Sequence, residues 1–197
     1  MRTALTRPAL GLGLALSLAG CGINSIPTAE ENVKAKWAEV QNNYQRRADL
    51  IPNLVSTVRA AGAQEKDILT QVTQARASAS QVQLSGDQLT DPQAMANFAR
   101  AQGAVTLSLQ RLQEAYPELK SQGNYTTLMS QLEGTENRIA IARNDYNQAV
   151  QSYNTQIRTF PDAIGARIFY GAKPITPFTA TTPGAETAPK VDFGNAG

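Results

Sequence analysis

Histidine is absent from the 197 residues, and cysteine occurs once, as Cys21. Without histidine there is no Ser-His-Asp or Cys-His nucleophile, no ordinary zinc site, and no Glu-x-x-His pair of the kind that holds di-iron in helix bundles. A magnesium or calcium site built from carboxylates survives that test, because it needs only oxygen ligands. Charge is scarce and balanced. Charged residues make up 17% of the chain and hydrophobic ones 42%, a globular composition too apolar for disorder throughout. The net charge is +2, and Arg2 and Arg7 lie in a leader read below as removed, which leaves the rest close to neutral. A nucleic-acid footprint needs a cationic surplus or stripe. No nucleic-acid partner, small-molecule substrate, cofactor or metal is therefore assigned, and the chain is not expected to be an enzyme.

Long apolar runs are also missing. The longest candidate, Ala9 to Ala19, follows Arg2 and Arg7 and leads into small residues before Cys21. That is a secretory signal pattern, and it falls short of the roughly 20 residues a helix needs to span hydrocarbon. Its ending, Leu18-Ala19-Gly20-Cys21, resembles the bacterial lipobox. The resemblance implies that residues 1–20 are a cleaved lipoprotein signal peptide and that Cys21 becomes the acylated first residue of a tether over 21–27. The alternative is ordinary cleavage nearby, leaving Cys21 an unpaired thiol, a liability in an exported chain. By the same resemblance, Gly22 in place of aspartate favours the outer membrane, if the cell has one.

What the chain has is apolar periodicity. Between Tyr125 and Phe160 the seam Leu128, Leu132, Thr135, Ile139, Ala142, Tyr146, Ala149, Tyr153, Gln156, Phe160 steps by fours and threes, one stripe of one helix. Each buried leucine or isoleucine is worth about 1.5–3 kcal/mol, so such a stripe requires other helices to cover it. Val33, Trp37, Val40, Tyr44, Arg47, Ile51, Leu54 and Val58 form a second stripe over 29–61, opened by a capping box of Thr28 with Glu31 and expected to kink near Pro52. Its phase continues through Ile68, Val72, Ala75 and Val82. One unbroken rod to Leu84 would be about 84 Å long, so a split near Gly62 into helices 29–61 and 63–84 is expected, with the single rod as the alternative. Asp91-Pro92 opens a helix over 92–116 striped by Met95, Phe98, Gln102, Val105, Leu109 and Leu112. The predicted fold is all-α: an antiparallel four-helix bundle of long helices spanning 28–161. A short apolar segment follows over 162–170, then an extended Pro-rich C-terminal tail whose Phe178 and Phe193 are candidates to dock.

Several motifs in this order resemble the LemA family of bacterial membrane-associated proteins. They are RRADLIPNLV at 46–55, EAYPELK at 114–120, LEGTENRIAIARNDYN at 132–147, YNTQIRTFP at 153–161 and APKVDF at 188–193. The resemblance implies an antiparallel helical bundle, extracytoplasmic here, of largely unknown molecular activity. One relative implicated in magnetosome membrane shaping points toward membrane remodelling. Proteins of this kind typically keep an uncleaved N-terminal membrane helix, where this chain has the lipobox.

The polar residues of those motifs are the candidate sites. Arg47 and Asp49 on the first helix face Glu133, Glu136 and Arg143 on the last, and are expected to form an ionic network that fixes helix register. A sharper reading gives Asp49, Glu133 and Glu136 a divalent ion. Trp37, Tyr44, Tyr146 and Tyr153 fall on stripes and are expected in the core, while Gly103 and Gly134 suggest close backbone approach. The functional expectation is a lipid-anchored helical scaffold or adaptor of the bacterial envelope, tethered to the membrane through Cys21 on the periplasmic face and working with an envelope protein partner. The alternatives are membrane remodelling and a carboxylate or metal-dependent envelope enzyme.

Overall fold

Apolar residues at intervals of three and four give the molecule its long helices, and proline and glycine decide where they stop. A computed structural model describes residues 24–62 and 66–179. Those residues are all-α, with no strand among them. The leader, Cys21 and Phe193 lie outside the described residues.

Helix α1 runs Ser25–Ala60 and buries Val33, Trp37, Val40, Tyr44, Arg47, Ile51, Leu54 and Val58, the stripe expected from the sequence, together with Ile26 and Val55. It starts earlier than expected. Pro27 falls in the first turn, where an amide has no helical partner to lose, and the Thr28 hydroxyl donates back to Asn24 O at 2.8 Å instead of capping. Pro52 is inside the helix without ending it. Its missing amide leaves Ala48 O without its helical donor, and Arg76 Nε of the next helix donates to that carbonyl at 2.7 Å. The rod ends at Gly62, whose φ of +88° suits a residue without Cβ at a helix C-terminus. The chain then reverses into α2, Lys66–Gln81, so the single-rod alternative falls.

Beyond α2, Leu84 O ties the chain back to α1 by accepting from Trp37 Nε1 at 3.2 Å and Gln41 Nε2 at 3.1 Å. The stretch between α2 and the next helix holds a 3-10 turn, Gly86–Thr90, that buries Leu89. Helix α3, Pro92–Ala115, starts where the sequence places it, with Asp91 Oδ1 accepting from Gln93 N at 2.8 Å. A second 3-10 turn, Pro117–Ser121, leads into α4, Gly123–Gln156.

Contacts fix the directions. Trp37 meets Tyr146 with ring centroids 5.1 Å apart, and Arg47 meets Glu136, so α1 and α4 are antiparallel. Trp37 to Leu84 and Arg76 to Ala48 make α1 and α2 antiparallel. Trp37 to Phe98 and Arg47 to Gln102 set α3 parallel to α1. The apolar core falls into two clusters. One gathers Trp37, Tyr44, Phe98, Ile139, Tyr146 and Tyr153, and the other Ile51, Leu54, Val72, Leu112, Tyr125 and Leu132.

Three details differ from expectation. At the start of α4 the buried positions are Tyr125 and Met129, with Leu128 only half-buried. Gly103 and Gly134 have open space where a Cβ would stand, so no close approach requires them. At the far end α4 stops at Gln156 and Phe160 is 82% exposed, off the seam. The chain continues through a one-turn helix α5, Asp162–Gly165, and a π-helical turn, Ala166–Tyr170, closed by Gly171 at φ +54°.

Arg76→Ala leaves Ala48 O without its donor, and thermal unfolding followed by circular dichroism is expected to show a loss of about 1 kcal/mol. Adding Pro52→Ala restores a helical donor to the same carbonyl. The double variant is therefore expected to lose less than Arg76→Ala alone, a non-additivity that a simple loss of packing at position 76 does not produce.

Candidate functional site

Arg47 is the polar intruder on the α1 stripe, and helix periodicity drives it inward between the two apolar clusters. It is 2% exposed. A guanidinium there must spend every face on a partner. Nη1 donates to Glu136 Oε1 at 2.8 Å and to Thr106 Oγ1 at 2.9 Å; Nη2 donates to Gln102 Oε1 at 2.7 Å and to Gln102 O at 3.1 Å. Its Cζ lies 5.0 Å from the Tyr44 ring centroid. One side chain thus joins α1, α3 and α4. Burial pushes the Tyr44 phenol above its ordinary pKa, and the charges of Arg143 and Arg47 oppose that rise.

Of the expected network, the structure brings together Arg47 and Glu136 and leaves the rest apart. Asp49 is exposed and accepts from Gln45 Nε2 at 2.7 Å on its own helix, because two residues past Arg47 is about 200° around the axis. Glu133 is exposed as well. Arg143 forms no ion pair among the described residues; its Cζ lies 4.1 Å from the Phe178 ring centroid, a cation–π contact. No group of three or more acidic or cysteine side chains among the described residues could hold a metal, so Asp49, Glu133 and Glu136 do not converge as a divalent site.

Phe178, a candidate to dock, belongs to the stretch expected as an extended tail. Residues 172–179 form an extended strap, and it is docked on α4 with Phe178 buried. Asn154 clasps Ile175 by its backbone, Nδ2 donating to Ile175 O and Oδ1 accepting from Ile175 N, both at 2.8 Å. Asn147 does the same to Phe178, at 2.9 and 2.7 Å. Between them the Tyr146 hydroxyl donates to Thr176 O at 2.8 Å, and Thr176 N reaches Leu89 O at 2.8 Å. Ile175 and Phe178 are both 5% exposed, and Phe178 stands edge-on to Phe98 with centroids 6.3 Å apart. The sequence offered Phe178 as a candidate to dock but not Ile175 or the path along α4, because the clasps grip peptide groups and leave no pattern in the strap. A signal was nevertheless present: Asn147 and Asn154 are seven apart and each follows a seam tyrosine, which sets both along one edge of the α4 seam.

Comparison with known proteins places this arrangement. A model of the LemA family matches residues 36–193. Magnetosome protein MamQ 2 of Paramagnetospirillum magneticum is 28% identical over 157 residues, covering 70% of this chain and 58% of that protein. Magnetosome protein MamQ of Magnetospirillum gryphiswaldense matches with the same identity and coverage. The chain therefore spans less than two thirds of the relatives it matches.

Glu136→Gln removes the charge facing Arg47, and urea unfolding is expected to show a loss of about 1–3 kcal/mol, moderated because Glu136 is partly exposed. Arg47→Met combined with Glu136→Gln should cost less than the sum of the two single changes. Asn147→Ala and Asn154→Ala are expected to leave the helices folded while the amides of Phe178 and Ile175 lose their hydrogen-exchange protection. Unchanged protection at both amides would show that the strap is not held by these clasps.

Proposed function

This chain belongs to the LemA family, and we propose that it serves as a lipid-anchored helical scaffold or adaptor of the bacterial cell envelope. The observation that carries this reading is the sequence Leu18-Ala19-Gly20-Cys21, set behind a positive start and a short apolar run, three residues before Asn24 where the described chain begins. Acylation of Cys21 supplies the membrane contact, and two or more acyl chains anchor stably where one is marginal. The rest of the chain then lies on the extracytoplasmic side, with the outer membrane favoured by Gly22.

The adaptor half of the reading is supported by the way α4 holds the strap. Asn147 and Asn154 bind peptide groups beside a groove that buries Ile175 and Phe178, so α4 carries a surface built to hold an extended chain with apolar side chains. That chemistry suits a protein partner in the envelope, and no reaction is assigned to the chain. The magnetosome proteins among its relatives favour a second reading, in which the anchored bundle shapes the membrane it sits on.

Mass spectrometry of the exported protein is expected to show an acylated Cys21 at the new N-terminus. Cys21→Ser should move the protein from the membrane fraction to the soluble extracytoplasmic fraction, with loss of the envelope proteins recovered by crosslinking. An unmodified thiol in the wild type, together with Cys21→Ser still sedimenting with membranes, would overturn the anchor.

A further inference from the structure

The end of the molecule where α1 begins exposes a cluster of large apolar side chains. Phe160 is 82% exposed, Ile168 69%, Phe169 66% and Ile164 53%. All four lie within ten positions, whereas the other exposed large aliphatic side chains among the described residues, Leu107 and Ile141, stand singly. The segment that carries them is fixed in place. Asp162 Oδ2 accepts from Ser25 Oγ at 3.2 Å and from Gln156 Nε2 at 2.9 Å. Ala166 is 2% exposed, and its carbonyl accepts from Ala172 N at 3.0 Å. A rigid cap of apolar side chains therefore sits against the first turn of α1.

Two facts name its occupant. Cys21 precedes Asn24 by three residues, which reach at most about 11 Å fully extended. Wherever acyl chains on Cys21 enter a bilayer, this cap stands beside that point. The second fact is charge. Arg158, Arg167 and Lys173 are exposed in the same segment, while its one carboxylate, Asp162, is engaged with Ser25 and Gln156, and the nearby Glu30 and Glu31 are paired with Lys34. Apolar side chains among cations that form no ion pair among the described residues fit the boundary between acyl chains and anionic headgroups.

We propose that Phe160, Ile164, Ile168 and Phe169 insert into the lipid surface beside the anchor, docking the bundle by the end where α1 starts. The inference rests on the anchor reading for its nearness to the membrane. The tether raises the local lipid concentration, so a weak interfacial contact is enough to set orientation.

The test uses the full-length lipidated protein reconstituted into vesicles of phosphatidylglycerol and phosphatidylcholine. Acylation blocks the thiol of Cys21, so a fluorophore can be placed singly through Ile164→Cys or, at the opposite end, through Lys120→Cys. Quenching by nitroxide-bearing lipids is expected at position 164, at the depth of about 5–10 Å reached by interfacial apolar groups, and not at position 120. The combined change Phe160→Ser, Ile168→Ser and Phe169→Ser, at exposed positions, should abolish the quenching while circular dichroism stays unchanged. An acylated protein with equal or no quenching at both positions overturns the proposal, as does a dye shielded from lipid in a dimer, which would assign the cap to a second copy. A protein without acyl chains would show that the anchor reading had failed. Cys21→Ser chain floated with the same vesicles then decides the cap alone: binding that the triple serine change reduces about tenfold or more supports it, and no binding overturns it.

Discussion

Burying the guanidinium of Arg47 sets a condition that three helices must meet together. Left unpaired, a charge at that depth costs several kcal/mol. It is satisfied only when Glu136 of α4 and Gln102 and Thr106 of α3 arrive in one register. Sliding α4 by one turn, about 5.4 Å, would carry Glu136 out of reach while the leucines, isoleucines and alanines of the seam could still find apolar neighbours. The ion pair thus contributes less as an attraction than as a rule against wrong alignments. Its position between the two apolar clusters lets one residue govern the alignment of both.

The same side chain is also the first link of a chain of rings that ends in the strap. Arg47 lies over Tyr44, Tyr44 packs on Phe98 with centroids 5.4 Å apart, Phe98 meets Phe178, and Phe178 receives Arg143. The strap therefore completes the aromatic cluster and is more than a cover laid over a finished core. Phe178 and Ile175 each supply about 1.5–3 kcal/mol of burial, while the asparagine clasps mainly fix where along α4 that burial takes place. The apolar side chains of the segment choose the groove and the peptide groups choose the register.

Much of this was legible in the residues. The α1 and α3 stripes translate directly into buried faces, since an apolar period of three and four admits one helical solution. The start of α4 was harder, because Leu128 and Met129 are adjacent apolar residues and periodicity alone does not choose between them. In the candidate site Arg47 and Glu136 were found because each lies on or beside a stripe. Asp49 and Glu133 shared their motifs but not their direction, and an angle around a helix outweighs closeness in sequence. Of the strap, Phe178 was legible as a candidate to dock but its path along α4 was not, because proline and threonine composition reports how poorly a segment orders itself and says nothing of an ordered groove waiting for it. The asparagines that build that groove look, in the sequence, like ordinary polar residues of an amphipathic helix.

Pro52 has a consequence for how the molecule assembles and opens. Through Ala48 O, the middle of α1 depends on Arg76, a donor 28 residues downstream on another helix. Until the hairpin of α1 and α2 closes, the turn before the proline lacks that donor, and the two halves of α1 behave as separate short helices of marginal stability in water. Continuity of the longest rod is thus a product of docking and not its precondition.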